Sequence, residues 1–481
     1  MRKKMFVFPK LTLRPEVQEY LRNVFTNEEL VAAVGQEEAE LRFDELLCYL
    51  SHPPSFTCMR ASTHLAPLDT IRERLGDELR QMSCCYGGDI PIFSHTHVPD
   101  VLLLPVIGPR PALPEHPEVI VGTQCGNAVL RGANVFAPGI LSAPKYMKPG
   151  DKVSVFSDVE GKCTRGAKDF QGKKVFVGNG VAEMGRADIF CSDKPIKGIG
   201  IRMVEPVYLS PSFDNLLPSL VFLQNLPSVV VGHVLGPQPG ERILDMCAAP
   251  GGKTSHIAAL MKGQGEVIAL DKIRGKVERI CRNAQALQLD CIKAYCFNSI
   301  QSVCTEHAQK PDDGPPFPAE SFDRVLLDAP CSGLGQRPNM GCSWSLREIT
   351  SYQPLQRKLF HTAVRLLKRG GVLVYSTCTV TLAENEEQVA WALDTFPCLT
   401  LRPQEPQIGG QGMLGAGLSH DQLRLLQRFS PIRGQRGAMS DLDPDPATLP
   451  LTSMAEMDPA HLLQQANTDT IGFFIAKFLK S

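Results

Sequence analysis

The sequence predicts a protein of more than one domain, whose C-terminal half is a doubly wound α/β sheet. The chain has 481 residues, more than a single domain usually contains. From about residue 233, strand-like segments alternate with helix-like ones, which is the pattern of a largely parallel sheet. Residues 116–208 differ, because short apolar segments and glycines recur there as they do in a small β-barrel or sandwich.

The N-terminal region is predicted to be mainly helical. Over residues 11–50, glutamates are interleaved with apolar residues at spacings of three and four, and Pro53-Pro54 ends that run. Residues 55–61 read as a short strand. Neither residues 1–115 nor residues 209–232 look able to close a core alone, so we expect them to fold together, with 116–208 inserted between them.

The C-terminal region, residues 233–481, carries the predicted α/β sheet. Helices are expected from about residue 253, over 275–289 and over 353–368. A segment of about 401–468, rich in Gly, Pro, Gln and Asp, is predicted to be a long and partly mobile loop. The predicted strands are Glu241–Asp245, Glu266–Asp271, Phe322–Asp328, Gly371–Ser376 and the closing Gly472–Phe478.

Composition and charge exclude several classes of protein. The formal net charge is −1, so a basic nucleic-acid surface has to be local. None of the 16 cysteines forms a C-x-x-C pair, which argues against a zinc ribbon, and we expect no metal. We find no apolar stretch long enough for a signal peptide or a membrane span. We expect a cytoplasmic, monomeric protein that has mostly free thiols and does not associate with a membrane.

A glycine-rich loop between a predicted strand and a predicted helix is the candidate cofactor site. The segment Asp245–Thr254 is made largely of small residues, which let a ligand approach the backbone closely. The N-terminus of the following helix suits a carboxylate or a phosphate. A P-loop is the rival interpretation, but Cys247 stands where that loop needs its first glycine. The loop therefore favours a cofactor that carries both an amino acid and a nucleoside.

Asp271 ends the next predicted strand, where a carboxylate can accept hydrogen bonds from a ribose diol. The alternative is that Asp271 caps the helix that follows.

Two cysteines follow strand ends of the same predicted sheet. Cys331 lies just after Asp328, and Cys378 comes just after the strand that ends at Ser376. Ligands of such sheets bind beyond the carboxyl ends of the strands, so both thiols are predicted beside the cofactor. Thiolates attack electron-poor carbon atoms well, which makes both residues candidates for nucleophilic catalysis. The alternative is that both are packing residues, as most free cysteines are.

Three motifs together resemble those of a known family. The segments Asp245–Thr254, Asp328–Gly333 and Ser376–Thr379 are similar, in this order, to the signatures of Nop/Sun-domain RNA cytosine-5 methyltransferases. The resemblance covers about residues 209–481 and implies a Rossmann-like class I methyltransferase sheet. Residues 116–208 resemble a PUA domain, an RNA-binding barrel, through Gly126–Gly132 and Ala137–Ile140. A PUA domain ahead of the catalytic domain is typical of a tRNA-modifying branch of the family.

The resemblance also implies roles for individual residues. Cys378 is expected to add to carbon 6 of the target cytosine, and Cys331 to assist removal of the carbon 5 proton and release of the adduct. Asp328 is expected to bind the cytosine edge, with Lys253 near it. The expected ligands of S-adenosylmethionine are Cys247, Ala248, Ala249, Pro250, Gly251, Gly252, Lys253, Asp271, Asn298 and Asp328.

Two positions depart from the family pattern. Asn298 stands where the family commonly has Asp beside the adenine, so that position brings no charge to the cofactor. Ser62 stands where the family usually has Asn, and we expect a modest effect on RNA or interdomain contacts.

The resemblance implies a tRNA substrate, read at its acceptor stem and 3′ CCA end, and leaves open whether mRNA is also a target. A surface for phosphate contacts needs basic residues on one face, although such residues often only solvate a surface. The alternative function is a non-catalytic RNA-binding protein on a methyltransferase scaffold. Arg131 is the strongest candidate, because it lies between an apolar strand expected over residues 128–130 and Gly132. The candidate RNA-binding residues are Arg131, Lys145, Lys148, Arg165 and Lys168.

Overall fold

A computed structural model of the chain describes residues 8–82, 90–191, 195–213, 216–304, 314–431 and 458–481. Within these ranges the strands assemble into sheets of four, six and eight strands. The four-stranded sheet contains strands that come before and after the six-stranded region in the sequence. The eight-stranded sheet is C-terminal.

The N-terminal region has three helices where one long helical run is predicted. They are α1 (Pro15–Phe25), α2 (Glu28–Val34) and α3 (Gln36–Ser51). Asn27 starts α2 by accepting a hydrogen bond from the Leu30 N–H at 3.0 Å. Gly35 separates α2 from α3 with a φ of 85°, which a glycine adopts without strain. The elements that follow are β1 (Phe56–Ala61), α4 (Leu68–Met82), β2 (Phe93–Ser94) and β3 (Val101–Pro105).

The middle region is a six-stranded sheet with its own apolar core. Its elements are β4 (Glu118–Gly122), α5 (Thr123–Val129), β5 (Val135–Phe136), β6 (Ile140–Ser142), β7 (Lys152–Asp158), β8 (Lys174–Ala182), α6 (Arg186–Phe190) and β9 (Ile199–Pro206). The strand order is β5-β9-β8-β7-β4-β6, in which only β4 and β7 pair in parallel.

One strand predicted in this region is wrong. Residues 128–130 were expected to be a strand, but Ala128 and Val129 end helix α5 and Leu130 follows it in a turn. The helix packs on β7 where Gly126 meets Ser157, and a Cβ at Gly126 would lie 2.4 Å from the Ser157 Oγ. A short apolar run is compatible with a buried strand or a buried helix, and here packing against β7 decides for the helix.

The chain then returns to complete the N-terminal sheet. Strand β10 (Val221–Leu223) pairs antiparallel with β1, with Met59 opposite Leu223. The resulting strand order is β10-β1-β3-β2. Residues on both sides of the six-stranded region therefore belong to a single sheet.

Helix α7 (Leu226–Leu235) joins the N-terminal sheet to the C-terminal one. The helix is apolar nearly all round, and such a helix is stable only when it is buried. It shares one apolar core with Val101 and Leu103 of β3 and with residues of the eight-stranded sheet. The predicted domain boundary at residue 233 thus falls inside this helix. In the described part of the chain, no helix has both the length and the apolar character needed to cross a membrane.

The C-terminal region contains the remaining elements. The strands are β11 (Arg242–Asp245), β12 (Glu266–Asp271), β13 (Ile292–Cys296), β14 (Phe322–Asp328), β15 (Leu367–Thr377), β16 (Leu399–Leu401), β17 (Gln427–Phe429) and β18 (Phe473–Lys480). The helices are α8 (Gly252–Leu260), α9 (Arg274–Ala286), α10 (Leu346–Thr350), α11 (Tyr352–Leu366), α12 (Glu386–Thr395), α13 (His420–Arg424) and α14 (Pro459–Thr468).

The order of the eight-stranded sheet confirms the predicted doubly wound fold. Its main path is β13-β12-β11-β14-β15-β18-β16, and β17 pairs with β18. The first five strands of this path are parallel, and β18 is inserted antiparallel beside β15. From β11 the chain adds β12 and β13 on one side of the sheet, and from β14 it adds the later strands on the other side. In open sheets of this kind, ligands bind at the carboxyl ends of the strands where the order reverses, here between β11 and β14.

The long loop predicted over 401–468 is wrong in part. Its described residues contain the end of β16, helix α13, strand β17 and helix α14, whereas residues 432–457 lie outside the described ranges. The side chain of Arg428, in β17, makes two hydrogen bonds with the Glu386 carboxylate, at 2.9 and 2.8 Å, and both residues are buried. A three-residue strand with polar side chains lacks the apolar alternation that would predict it from sequence. Its side chains can be polar because residues distant in the chain form hydrogen bonds with them.

Candidate active site

The candidate cofactor loop connects β11 to α8 and has the expected shape. Gly251 precedes the helix with a φ of 98°, a conformation that other residues rarely adopt. No side chain caps the N-terminus of α8, so its first N–H groups face the loop. Asp245, at the end of β11, accepts a hydrogen bond from the Thr254 hydroxyl at 2.7 Å, which ties the strand to the helix. Burial raises the pKa of Asp245 to about 7.

Asp271 and Asn298 follow the next two strands along the same edge of the sheet. The Oδ1 atom of Asp271 accepts from the Ile273 N–H at 3.0 Å, and that of Asn298 accepts from the Ile300 N–H at 3.2 Å. Asn298 thus caps the short turn Ser299–Gln301. Asp271 instead holds the turn before α9, whose N-cap is Ile273 without a side-chain cap, so the alternative interpretation of Asp271 as a helix cap is wrong. Among the described residues, neither the second carboxylate oxygen of Asp271 nor the Asn298 amide nitrogen has a protein hydrogen-bond partner. Both atoms thus remain suitable for binding a ligand.

Asp328 is held by partners from two neighbouring elements. It ends β14 directly opposite Ser376 of β15, and the Ser376 hydroxyl donates to its Oδ1 atom at 2.7 Å. The Lys253 ammonium donates to the other carboxylate oxygen at 2.8 Å. Because Lys253 belongs to the first turn of α8, this ion pair links the candidate cofactor loop to the end of β14. The family resemblance implied that Lys253 contacts Asp328 or the base, and it gave no role to Ser376.

The two candidate thiols lie next to each other. The Sγ atoms of Cys331 and Cys378 are 3.4 Å apart, within hydrogen-bonding distance and without a covalent bond. A hydrogen bond from Cys331 lowers the pKa of Cys378, aided by the side chain of Gln336 and the positive charge of Lys253. The same hydrogen bond, together with burial, raises the pKa of Cys331 well above its usual value. The contact therefore favours the thiolate form of Cys378 over that of Cys331.

A buried carboxylate that the sequence analysis missed connects the loops of both cysteines. Glu384 is 1% exposed and accepts hydrogen bonds from the Ser332 N–H at 2.9 Å and the Ser332 hydroxyl at 2.6 Å. It also accepts from Gln356 at 3.0 Å and Thr381 at 3.0 Å. The Ser332 hydroxyl in turn contacts that of Thr379 at 2.7 Å. Since Ser332 follows Cys331 and Thr379 follows Cys378, Glu384 fixes the separation of the two thiols.

The candidate RNA-binding residues do not form one cluster. Lys145 and Lys148 share an exposed turn, where the Lys145 ammonium lies 5.0 Å from the ring of the exposed Tyr146. The exposed Lys168 is on a neighbouring loop, because the Ala143 N–H donates to the Ala167 carbonyl at 3.4 Å.

The two arginines behave differently from these lysines. Arg165 donates to the carbonyls of Pro138 and Ile140 at 2.9 and 2.8 Å and packs on Phe190 at 5.3 Å, so its guanidinium holds the six-stranded region together. Arg131 follows α5 and is exposed. Within the described part of the chain, no hydrogen bond joins Arg131 to the lysine loops.

Comparisons with known proteins agree with this arrangement. The family model of the 16S rRNA methyltransferase RsmB/F matches residues 232–431. The chain is 59% identical over 480 residues to the human tRNA (cytosine(72)-C(5))-methyltransferase NSUN6, covering 99% of each, and 59% identical to the mouse protein of the same name. The tRNA (cytosine(72)-C(5))-methyltransferase of Pyrococcus horikoshii is 31% identical over 88% of this chain and 93% of its own length.

A solved structure extends the similarity to three dimensions. The crystal structure of NSun6 from Pyrococcus horikoshii with SFG, an analogue of S-adenosylmethionine, has a TM-score of 0.71 and 28% sequence identity. The match covers 98% of both chains.

Proposed function

The chain belongs to the RsmB/F (NOP2/Sun) family of RNA methyltransferases, and from that premise we propose that it methylates carbon 5 of cytosine 72 in tRNA. One observation carries the proposal at the level of chemistry. Two partly buried thiols lie 3.4 Å apart at the carboxyl edge of the sheet, beside the Asp328–Lys253 pair. A cytosine ring is a weak nucleophile at carbon 5 until a thiolate adds to carbon 6, and this site supplies a thiolate.

The loop between β11 and α8 fits the cofactor S-adenosylmethionine. The uncapped helix N-terminus suits the cofactor's carboxylate, and Gly251 leaves room for it next to the backbone. Asp271 suits the ribose hydroxyls, and the Asn298 amide suits the adenine. When bound, S-adenosylmethionine supplies the methyl group as an electrophile.

The protein's own residues divide the chemistry between them. The Cys378 thiolate forms a bond to carbon 6, and the electron pair of the 5,6 double bond makes carbon 5 nucleophilic. Asp328, held by Lys253 and Ser376, binds the polar edge of the ring and stabilises its activated form.

After carbon 5 is methylated, its proton leaves, the carbon–sulfur bond breaks and the double bond re-forms. Cys331 assists this release. Addition of Cys378 to carbon 6 removes the neighbouring thiolate that raises the pKa of Cys331. The Cys331 thiol then loses its proton to solvent, and its thiolate accepts the proton from carbon 5.

Recognition of the RNA is assigned to the two smaller regions. We take residues 116–208 as a PUA domain that reads the 3′ CCA end, and residues 1–115 with 209–232 as an RNA-recognition-motif-like unit. Lys145, Lys148 and Lys168 supply phosphate contacts from neighbouring loops, and the exposed Tyr146 offers a ring on which a base can stack. Arg131 is a further candidate, whereas the hydrogen bonds of Arg165 assign it a structural role.

The setting of the reaction is also part of the proposal. The 14 cysteines described are all free, which agrees with a reducing compartment such as the cytoplasm, and we take the enzyme to act as a monomer. We take tRNA as the main substrate; mRNA is the second class of RNA to assay.

The function is tested by incubating the full chain with labelled S-adenosylmethionine and three substrates: tRNA, the same tRNA with uridine at position 72, and bulk protein. We expect label only in the unaltered tRNA. Label in protein alone would contradict the proposal, and an absence of any transfer despite tight tRNA binding would favour a non-catalytic RNA-binding protein.

A further inference from the structure

A buried arginine of the N-terminal sheet reaches the candidate cofactor loop. Arg60 lies in β1 and is 2% exposed. Its Nη1 atom donates to the Gly252 carbonyl at 2.7 Å, and its Nη2 atom donates to the Ser255 hydroxyl at 2.9 Å. Both acceptors belong to the first turn of α8, which follows the glycine-rich loop.

A second contact from the same sheet holds the next turn of α8. The carboxylate of Asp100, which precedes β3, joins the His256 Nε2 atom at 2.8 Å and the His233 Nε2 atom at 2.7 Å. His256 lies one turn beyond Gly252 on α8, and His233 lies on α7. Two successive turns of the cofactor helix are therefore held by side chains from outside the eight-stranded sheet.

Close packing around the first turn of α8 restricts movement of the helix. The ring of Phe222, from β10, lies 5.3 Å from the guanidinium carbon of Arg60. A Cβ added to Gly252 would be 3.0 Å from the same ring. Phe222 and Arg60 thus pack directly against the start of α8, and they belong to paired strands.

The charge of Arg60 is also significant. Burial lowers its pKa to about 10, so the guanidinium remains protonated at neutral pH. A cation buried near a helix N-terminus opposes the helix dipole and gives the helix itself no stability. It does increase the positive potential at the site where an anionic ligand group binds.

We propose that Arg60 is a positioning residue of the cofactor site. It orients the first turn of α8 and adds positive potential for the carboxylate of S-adenosylmethionine. This inference rests on the proposed function, because it assigns the loop to that cofactor. It adds that cofactor affinity depends on a residue outside the catalytic sheet, in a unit otherwise assigned to RNA.

The test compares full-length Arg60→Gln and Arg60→Lys with the unaltered chain by isothermal titration with S-adenosylmethionine. We expect R60Q to raise the dissociation constant roughly tenfold, because it removes the charge beside the helix end. R60K keeps the charge and should recover part of that loss. The KM for tRNA should change less than twofold in both variants.

Arg337→Lys is the matched control. Arg337 is also buried and joins the N-terminal region to the C-terminal segment, since it donates to the Tyr49 carbonyl at 2.7 Å and to Asp469 at 2.6 Å. It makes no hydrogen bond to α8. We expect R337K to lower the melting temperature and leave cofactor affinity unchanged.

The outcomes separate this inference from the proposed function. An unaltered chain that does not bind S-adenosylmethionine would refute the proposed function itself. If the unaltered chain binds and R60Q binds within twofold of it, or if R60Q and R337K weaken binding equally, Arg60 is not a positioning residue. If R60Q does not fold, R60K is compared with R337K instead. Equal affinities of these two variants for S-adenosylmethionine would refute the positioning role of Arg60.

Discussion

At the scale of single residues, the two thiols differ in how readily each loses its proton. The hydrogen bond from Cys331 lowers the pKa of Cys378, and burial together with that bond raises the pKa of Cys331. Both effects require the 3.4 Å separation of the sulfur atoms. The sequence predicted two thiols on one edge of the sheet, but only their contact shifts the two pKa values in opposite directions.

The different roles of the thiols predict different fates for two variants. Cys378→Ala should abolish methylation and form no adduct with tRNA, because carbon 6 has no nucleophile. Cys331→Ala should accumulate a protein–tRNA adduct that survives denaturing electrophoresis. Normal turnover by C331A, or an adduct formed by C378A, would show that the roles are exchanged or absent.

The lowered pKa of Cys378 gives a prediction that needs no RNA. A thiolate forms as the pH rises through the pKa, so Cys378 should be alkylated by iodoacetamide at lower pH than an ordinary cysteine. In Cys331→Ala the hydrogen bond is lost, and the midpoint of the alkylation profile should move to higher pH. Mass spectrometry of the Cys378 peptide measures this midpoint, and an unchanged midpoint in C331A would refute the proton-sharing model.

The buried carboxylate of Glu384 predicts a defect in catalysis without a defect in cofactor binding. Glu384→Gln replaces an acceptor with a donor opposite Ser332 or Gln356, and should lower stability by about 1–3 kcal/mol. Methylation should fall roughly 10- to 100-fold, because the thiols lose their fixed separation. The dissociation constant for S-adenosylmethionine should stay the same.

Glu387→Gln is the control for E384Q. Glu387 is the second residue of α12 and accepts a hydrogen bond from the Gln353 side chain at 3.2 Å. It does not contact the cysteine loops. It should leave methylation near the level of the unaltered chain. Equal loss in the two variants would argue against a positioning role for Glu384.

At the scale of elements, the turn before α8 is the most constrained part of the cofactor site. Gly251 has a φ of 98°, and an added Cβ there would lie 3.3 Å from the Cα of Ile280 in α9. The residue thus needs both a left-handed backbone and a close approach to a neighbouring helix. A glycine-rich sequence indicates such a turn, but not which glycine adopts it.

Two alanine variants distinguish the effect of backbone strain on stability from an effect on the binding of S-adenosylmethionine. Gly251→Ala and Gly263→Ala both force alanine into positive φ, 98° and 70°, at opposite ends of α8. Each should destabilise the protein by about 1–2 kcal/mol. Only G251A should weaken binding of S-adenosylmethionine, since a Cβ at Gly263 meets nothing within 4 Å. Titration and thermal unfolding measure the two effects, and equal affinities would exclude the loop as the cofactor site.

At the scale of the whole molecule, the N-terminal and C-terminal sheets share a core and the six-stranded region has its own. Helix α7 packs between the two sheets, so a catalytic domain cut at residue 233 would lose part of that helix. The six-stranded region instead encloses fully buried residues of its own strands, including Val119, Val155 and Val177.

This difference predicts that residues 116–208 fold alone. A core formed mainly within the fragment should support cooperative unfolding, although the loss of Phe8 and Met340 from its edge should lower the melting temperature. Circular dichroism during heating measures the transition. A fragment without a cooperative transition would contradict the insertion of this region as an independent domain.

The sequence alone determined the parts of this protein that depend on neighbouring residues. The alternation of strands and helices, the glycine-rich turn after Asp245 and the cysteines after β14 and β15 were predictable, because a doubly wound sheet brings successive strand ends to one edge. The tertiary structure alone decided what depends on distant partners. Examples are the contact of Arg60 with α8, the hydrogen bonds of Glu384 and the folding of Ala128 and Val129 as the end of a helix rather than as a strand. The physical reason is that a buried polar group or a short apolar run is stabilised by its surroundings, and those surroundings come from residues far along the chain.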